Sequence, residues 1–298
     1  MKAALFGREL SHSISDVVHR EVFSVVASHL NYSSAPIEYS LIEADSESNF
    51  KTCALEMGHI GMIGANVTYP YKGVSYSLAK MHVGPSSAIK SANTLRYAAS
   101  GIDCTSTDGQ GYINALKRVL PQFDLDQYHL ILLGSGEAAK AVVYSLCTRW
   151  MPLSLTIVSR TFAHAQELAA FCVAEAPGPS VRAMSINDFI NHFPESRKRM
   201  VIQATPIGQK NHPGNLAAGF PWNESDLASD LIYNPLQTAF LNSASTNGAK
   251  TINGLGMLIE QAALSQVFWL TGLLPEESPL SSEEFATIYE RLSVLLTA

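Results

Sequence analysis

The chain has 298 residues, of which 47% are hydrophobic and 15% are charged, so it has the composition of a globular protein and the length for two domains. Its net charge of -6 argues against general binding to nucleic acid or to a membrane surface. No apolar run approaches the roughly 20 residues that span a bilayer. The four scattered cysteines predict reduced thiols in a cytoplasmic protein without a zinc site or a disulfide framework.

The first hundred residues alternate strand-like and helix-like runs. Apolar residues at helical spacing predict a helix over residues 16–29, and another helix is predicted to begin just after Asp108 and to run toward Val119. Short strands are predicted at residues 2–6, 38–42, 61–68 and 92–97.

A second unit is predicted to begin near Tyr128. Residues 128–133 form a near-continuous apolar run, which is typical of a strand buried on both faces. Strands and helices then alternate, which predicts right-handed crossovers and a doubly wound parallel sheet. The predicted strands are 155–158, 200–204 and 227–232, and the predicted helices are 137–149, 163–173, 257–270 and 282–296.

A glycine-rich turn follows the first strand of this second unit. The run from Gly134 to Ala139 fits the pattern G-x-G-x-x-A between a buried strand and a helix. The first glycine permits the tight turn, the second lets the backbone approach a pyrophosphate, and the helix N-terminus offers free N–H groups. The turn therefore predicts a dinucleotide site, with a turn that binds no nucleotide as the alternative.

The next strand bears on which dinucleotide is bound. NAD-binding folds usually place Asp or Glu at its end, but here the strand ends in Ser159, Arg160 and Thr161. An arginine can hold a 2′-phosphate as a charge-assisted partner, so the sequence favours NADP. The alternative is that Arg160 is an ordinary surface residue.

The candidate chemistry lies in two polar, glycine-bounded segments, Gly64–Lys72 and Ser106–Gly111. Hydride transfer to a ketone requires a proton donor, which Lys72 can supply, and Asp108 can orient it. Read alone, Lys72 could be a surface lysine and Asp108 could cap the helix that follows it. Ser13 and Ser15, near the start of the first helix, suit a small carboxylate or could simply cap that helix.

These segments, taken in order, resemble shikimate dehydrogenase along nearly the whole chain. The matching segments are His12–Ser15, Gly64–Lys72, Ala92–Leu95, Thr107–Gly111, Gly134–Gly136, Ser159–Thr161, Ala204–Gly208, Asp230–Pro235 and Asn253–Gln261. The resemblance implies an NADP-dependent enzyme that interconverts 3-dehydroshikimate and shikimate in aromatic amino-acid biosynthesis.

The resemblance also implies roles for single residues. Lys72 and Asp108 would be the catalytic pair. Substrate would be bound through its carboxylate by Ser13, Ser15 and Tyr233, and through its ring hydroxyls by Thr68, Asn93 and Gln261. NADP would be bound by Gly134, Ser135, Gly136, Glu137, Ala138, Ser159, Arg160, Thr161, Ala204, Thr205, Gly254 and Met257.

The implied fold is α/β with two domains and an active site in the cleft between them. Residues 1–110 with 255–298 would form the substrate domain, and residues 111–254 the Rossmann-like NADP domain. The expected partner is a small molecule, and the chain would be a monomer or a homodimer.

The sequence departs from the family pattern at the cofactor site. Glu137 replaces a glycine of the phosphate turn, and His164 stands where a second arginine often contacts the 2′-phosphate. Two other functions stay open. One is a quinate/shikimate dehydrogenase-like paralogue that uses NAD or NADP. The other is a sensor that binds its ligand without turnover, which is left open by Glu137 and by Asp16, where the family usually has Pro.

Overall fold

The computed structural model describes residues 1–32, 36–176, 178–192 and 198–297. The chain forms two compact units. The first unit comprises Met1–Asn114 and Leu258–Leu292, and the second comprises Ala115–Met257 and Ser293–Ala298. The predicted α/β fold with two domains is confirmed. The assignment of substrate to one domain and cofactor to the other stays a prediction.

The first unit is built on a six-stranded sheet. Its strands are β1 (Lys2–Gly7), β2 (Glu38–Glu43), β3 (Met62–Val67), β4 (Met81–Val83), β5 (Thr94–Ala98) and β6 (Gly101–Thr105). Their order across the sheet is β2-β1-β3-β5-β6-β4. All neighbouring pairs are parallel except the two that β5 makes, which are antiparallel.

Helices cover both faces of this sheet. They are α1 (Ser15–His29), α2 (Glu47–Met57), α3 (Lys72–Leu78) and α4 (Ser86–Ile89), with a short 3-10 turn at Gly58–Ile60. Because side chains alternate along a strand, β1 contributes to two apolar clusters: Phe6 packs with Phe50, and Leu5 packs with Phe23 and Phe268.

The second unit is a parallel, doubly wound sheet, as predicted. Its strands are β7 (His129–Leu133), β8 (Ser154–Ser159), β9 (Ser180–Ser185), β10 (Arg199–Gln203), β11 (Leu227–Asp230) and β12 (Lys250–Ile252). Their order is β12-β11-β10-β7-β8-β9, and every neighbouring pair is parallel. Successive strands move outward in one direction from β7 and then, beginning with β10, in the other direction. The switch point of the sheet is therefore between β7 and β10.

The helices of the second unit are α6 (Glu137–Arg149), α7 (Phe162–Glu175), α8 (Ile186–Asn191) and α9 (Ala239–Thr246). A cluster that includes Ile131, Val201, Phe189 and Phe240 forms its core. The remaining helices are α5 (Asp108–Val119), α10 (Leu255–Thr271) and α11 (Ser282–Thr297). Among the described residues, no helix is both long and apolar enough to cross a membrane.

Candidate active site

The sheet of the first unit brings four polar chain segments to one edge. Strands β1 and β3 are parallel, so their carboxyl ends, at Gly7 and Val67, lie side by side. Strand β5 is antiparallel to both β3 and β6, so its amino end at Thr94 lies beside Asn66 and beside Thr105, where β6 ends. The segments carrying Thr68–Lys72, Asn93 and Asp108 therefore meet at this edge because of the strand directions.

Lys72 and Asp108 form an ion pair at this edge. Lys72 is the first residue of α3 and Asp108 is the first residue of α5. The ammonium Nζ lies 2.6 Å from Oδ2 of Asp108, and the two side chains are only 13% and 10% exposed. The sequence prediction that these two residues act together is consistent with this contact, and a solvated surface lysine is not what the structure contains.

Asn93 holds the second oxygen of the Asp108 carboxylate. Its Nδ2 donates to Asp108 Oδ1 at 2.7 Å and to Thr107 Oγ1 at 2.9 Å. Its Oδ1 accepts the Thr107 backbone N–H at 2.8 Å. A backbone N–H can only donate, so this bond fixes which end of the amide is oxygen. Both oxygens of Asp108 thus have a hydrogen-bond donor.

A buried polar cluster lies behind Asn93. Asn66 Nδ2 donates to Ser265 Oγ at 3.0 Å, and Asn66 Oδ1 accepts from the Tyr39 hydroxyl at 2.9 Å. The hydroxyls of Thr94 and Thr107 lie 2.9 Å and 3.2 Å from Ser265 Oγ. We call Asn66, Asn93, Thr94, Thr107 and Ser265 the Asn93 cluster. All five side chains are uncharged, so their burial carries no charge penalty.

The two predicted carboxylate-binding serines lie at the start of α1. Ser13 Oγ donates to Ser15 Oγ at 3.0 Å and accepts the Ser15 backbone N–H at 3.2 Å. The N-cap position of α1 is Ile14, so neither serine occupies it. Both side chains are half-buried. Thr68 is also half-buried and lies against Gly7, where a β-carbon would come within 2.6 Å of the Thr68 methyl group.

Gln261 reaches the same site from α10. Its Oε1 is 3.5 Å from Asn93 Nδ2, while its Nε2 donates to the Leu258 carbonyl at 2.9 Å. A β-carbon on Gly111 would lie 2.7 Å from the Gln261 backbone nitrogen, so α5 and α10 approach closely only because residue 111 is glycine. The structure thus brings together Lys72, Asp108, Asn93 and Gln261.

The predicted dinucleotide turn lies at the switch point of the second sheet. Gly134, Ser135 and Gly136 follow β7, and Ala204 and Thr205 follow the neighbouring strand β10. Gly134 has φ +118°, and a β-carbon there would come within 2.9 Å of the Ala204 carbonyl oxygen. Only glycine suits that position.

Gly136 leaves room for a phosphate group. It is the N-cap of α6 and has no side chain to accept the first N–H groups of the helix. No atom of the described residues beyond its chain neighbours and the backbone of α6 lies within 4 Å of where its β-carbon would be. Glu137 and Ala138, the first two residues of α6, are half-buried. The turn therefore fits a pyrophosphate at a helix N-terminus.

The loop after β8 carries the predicted 2′-phosphate residues. Ser159 ends the strand, and its Oγ accepts a hydrogen bond from Ser135 Oγ at 3.1 Å, which ties this loop to the glycine-rich turn. Arg160 is exposed, and Thr161 is the N-cap of α7. His164 is exposed on the first turn of α7, and its backbone N–H donates to the Thr161 carbonyl at 3.0 Å.

A buried carboxylate fixes the loop that follows β11. Asp230 accepts the Thr238 hydroxyl at 2.7 Å and the Ile232 N–H at 3.0 Å. Burial raises its pKa to about 6, against the lowering effect of those two bonds. The half-buried Tyr233 lies on this loop. Gly254 packs directly on it, since a β-carbon there would lie 2.1 Å from the Leu231 carbonyl oxygen, and the half-buried Met257 follows in α10.

Comparison with known proteins identifies the family. Residues 5–95 match the family described as the shikimate dehydrogenase substrate binding domain. The shikimate dehydrogenase (NADP(+)) of Aromatoleum aromaticum is 32% identical over 92% of this chain and 92% of its own. The chain belongs to the shikimate dehydrogenase family.

Solved structures of this family share its fold. Shikimate 5-dehydrogenase from Thermus thermophilus, in complex with NADP(H) and shikimate, superposes with a TM-score of 0.73 at 24% identity, covering 98% of this chain and 99% of the other. Quinate dehydrogenase from Corynebacterium glutamicum, in complex with NAD, gives a TM-score of 0.80 at 22% identity, covering 98% and 99%. At these identities the two structures show the fold alone.

The sequence alone does not indicate the residues that lie behind those expected to contact the ligand. Ser265 was not predicted to take part, although a serine in an otherwise apolar helix, four residues after Gln261, is a usable signal. The hydroxyls of Thr94 and Thr107 lie inside recognised motifs, but their bonds to each other and to Ser265 depend on the pairing of β5 with β6 and on α10.

Proposed function

We propose that this protein is an NADP-dependent shikimate dehydrogenase, which reversibly reduces 3-dehydroshikimate to shikimate. The observation that carries the proposal is the shielded Lys72–Asp108 pair, held by Asn93 and set among uncharged hydrogen-bonding side chains. Membership of the shikimate dehydrogenase family supports the same reaction. We infer that the first unit binds the acid and the second unit binds the dinucleotide.

The proposed chemistry needs one proton and one hydride. When bound, NADPH supplies the hydride to the ketone carbon. Lys72 Nζ donates a proton to the developing alkoxide oxygen, which yields the alcohol, and accepts it back in the reverse direction. Asp108 keeps the ammonium oriented, and Asn93 keeps Asp108 oriented. General acid catalysis of this kind contributes about a hundred- to ten-thousandfold in rate.

The same residues offer the contacts that a polyhydroxylated ring acid needs. We propose that Thr68, Asn93 and Gln261 bind the ring hydroxyls and that Ser13 and Ser15 bind the carboxylate. These residues are neutral and at least partly withdrawn from solvent, so hydrogen bonding and not net charge would select the ligand. The role of Tyr233 at the carboxylate stays a prediction from the family resemblance.

The cofactor proposal depends on the second unit. Gly134, Ser135, Gly136, Glu137, Ala138, Ala204 and Thr205 would hold the pyrophosphate side, and Ser159, Arg160 and Thr161 the 2′-phosphate. Arg160 is exposed, so its guanidinium can reach an anion without losing an internal partner that the fold needs. Gly254 and Met257 stay predictions for the nicotinamide end. The oligomeric state, monomer or homodimer, stays a prediction as well.

Enzyme assay tests the function directly. Purified protein is mixed with shikimate and NADP, and NADPH formation is followed by absorbance. The wild type is expected to turn over, Lys72→Ala is expected to lose about a thousandfold in kcat, and Lys80→Ala, an exposed lysine of the same unit, is expected to match the wild type. Folded wild-type protein that forms no NADPH would overturn the proposal. Parallel assays with quinate and with NAD would reveal a quinate-linked or NAD-linked enzyme instead.

The cysteines bear on where the protein is located in the cell. All four cysteines, Cys53, Cys104, Cys147 and Cys172, are free thiols. Burial raises the pKa of Cys104, Cys147 and Cys172 to about 12, which keeps them as unreactive thiols. We propose a reducing compartment, the cytoplasm.

A further inference from the structure

Ser265 lies at the centre of the Asn93 cluster and is fully buried on α10. Its hydroxyl donates to the Gln261 carbonyl, one turn earlier in the helix, at 2.8 Å. A serine hydroxyl has one proton, so this bond leaves Ser265 Oγ as an acceptor toward its other neighbours. Asn66 Nδ2, an obligate donor, takes one of the two lone pairs at 3.0 Å.

The second lone pair of Ser265 receives a threonine hydroxyl. Thr94 Oγ1 lies 2.9 Å away and Thr107 Oγ1 lies 3.2 Å away. The two threonine oxygens are 3.4 Å apart, so either hydroxyl can donate a hydrogen bond to the other. The threonine hydroxyls can also donate to Asn93 Oδ1, which lies 3.1 Å from Thr94 Oγ1 and 3.3 Å from Thr107 Oγ1. In every arrangement Thr107 Oγ1 keeps a lone pair that accepts from Asn93 Nδ2.

The hydrogen bonds of Thr107 position the Asn93 side chain. Nδ2 of Asn93 has two protons, one directed to Thr107 Oγ1 at 2.9 Å and the other to Asp108 Oδ1 at 2.7 Å. Without Ser265 Oγ, the Thr107 hydroxyl would lose one of the partners that hold it in place beside Asn93 Nδ2. The orientation of the second proton toward the carboxylate would then be less well defined.

We propose that Ser265 is a positioning residue for the Lys72–Asp108 pair, acting through Thr107 and Asn93. The inference rests on the proposed function, in which that pair carries the proton. Ser265 itself contacts neither Lys72 nor Asp108 through any hydrogen bond among the described residues. Ser265 Oγ is a fixed acceptor for the threonine hydroxyls at one end of this chain of hydrogen bonds. At the other end, Asn93 Nδ2 then faces the Asp108 carboxylate in one orientation.

The test compares two hydroxyls on the same helix. In Ser265→Ala the acceptor is lost, while in Ser265→Thr the oxygen is kept. The matched control is Thr271→Val, because Thr271 Oγ1 makes the same bond to the carbonyl one turn earlier, to Val267 at 2.8 Å, but lies outside the Asn93 cluster. For each full-length variant we would measure kcat and KM for shikimate and the thermal melting temperature. A second readout is hydrogen exchange of the Asn93 side-chain amide protons by NMR, assigned with Asn93→Asp.

The expected result is a selective loss in Ser265→Ala. Its kcat should fall about ten- to a hundredfold, as expected for a catalytic group displaced by a fraction of an ångström, with KM changed by less than about threefold. The Asn93 amide protons should exchange faster than in wild type. Ser265→Thr should recover most of the kcat, and Thr271→Val should match the wild type in kcat and in Asn93 exchange.

Several outcomes would overturn the inference. One is a Ser265→Ala variant that behaves like Thr271→Val in kcat or in Asn93 exchange. Another is a fall in kcat that both variants share in proportion to their melting temperatures, which would indicate a stability effect. If the wild type does not oxidise shikimate, the proposed function fails independently of this inference. Hydrogen exchange of the Asn93 amide protons then tests the positioning role by itself. Faster exchange only in Ser265→Ala supports that role, and unchanged exchange overturns it.

Discussion

The Asn93 amide nitrogen lies 2.7 Å from Oδ1 of Asp108, while the Lys72 ammonium lies 2.6 Å from Oδ2 of the same carboxylate. One carboxylate thus joins a buried neutral amide to a shielded cation. The carboxylate has a charged partner on one oxygen and a fixed neutral donor on the other, which restricts its rotation.

Replacing that carboxylate by an amide should separate orientation from charge. We expect Asp108→Asn to lower kcat about a hundredfold. The amide has no negative charge to pair with the Lys72 ammonium, and its NH2 group would face either Lys72 Nζ or Asn93 Nδ2, which are both donors. Steady-state kinetics with shikimate and NADP measures this. Asp103→Asn is the control, since Asp103 pairs with Arg96 at 2.9 Å on a different part of the sheet and should keep the wild-type kcat. Equal kcat in Asp108→Asn and the wild type would contradict the assigned role.

The open space beside Gly136 predicts a change in cofactor binding without a change in stability. A methyl group at Gly136 meets no atom of the described residues outside its chain neighbours and the α6 backbone, so Gly136→Ala should change the free energy of unfolding by less than about 1 kcal/mol. The same methyl group would occupy the space that a pyrophosphate needs, so the Kd for NADP should rise at least about tenfold, or about 1.4 kcal/mol. Calorimetric titration with NADP and urea denaturation measure the two quantities. An unchanged Kd would place the cofactor elsewhere.

A buried ion pair in the second unit predicts a large loss of stability. Asp226 accepts from the Arg199 guanidinium and from the Arg199 backbone N–H, and the two side chains are 0% and 2% exposed. Asp226→Ala leaves a buried cation without its carboxylate and should lower the free energy of unfolding by about 3–5 kcal/mol. Urea denaturation followed by tryptophan fluorescence measures this. Arg291→Ala, which breaks an exposed pair with Glu21, should cost less than about 1 kcal/mol; a comparable loss in both variants would refute the prediction.

The raised pKa of Asp230 predicts a pH dependence of stability. Its pKa is about 6 in the folded protein, above the usual value near 3.8, so the folded state holds the proton more tightly than the unfolded state. The resulting stabilisation is fully present below about pH 4 and is lost as the pH rises through about 6, which amounts to about 3 kcal/mol. Asp230→Asn removes this titration. As the pH rises from 4 to 7, the free energy of unfolding of the wild type should therefore fall relative to that of the variant. Denaturation at several pH values measures that difference, and a difference that does not vary with pH would contradict the assignment.

Elements whose pattern is local were predicted well from the sequence. The apolar run before Gly134 and the helical run after it correspond to β7 (His129–Leu133) and α6 (Glu137–Arg149). The long C-terminal helices were predicted within two residues of their observed ends. In these segments one hydrophobic period continues for several turns or through a whole buried strand, and tertiary contacts do not change it.

The elements that the sequence did not reveal are short or depend on their neighbours. Strand β6 (Gly101–Thr105) has little hydrophobic periodicity of its own and forms because it pairs with β5 across a tight hairpin, where Gly101 adopts φ +130°. Strand β9 and helix α2 were missed as well, since their buried residues are few. For the same reason the mixed character of the first sheet was not predicted.

The site was predictable as far as its residues belong to motifs. The distance between Lys72 and Asp108, which are 36 positions apart, depends on strand directions that no local pattern specifies. The hydroxyl of Ser265 is 171 positions from that of Thr94, so nothing in the sequence around either residue indicates their contact. The family resemblance indicates the residues that are expected to face a ligand. The contacts behind them, such as that of Ser265 with Thr94, depend on the packing of α10 and are not indicated by it.

The first unit is discontinuous in sequence: its N-terminal part ends at Asn114, and Leu258–Leu292 joins it only after Ala115–Met257 of the second unit has intervened. During synthesis, Lys72 and Asp108 leave the ribosome long before Ser265 and Gln261 do. A nascent chain that extends only to Met257 therefore still lacks most of α10, and exposes the apolar face on which Phe268 and Trp269 later pack. Under the proposed function, proton transfer by Lys72 has to wait until α10 has been synthesised, and a polypeptide that ends before α10 would carry Lys72 without Gln261 and Ser265.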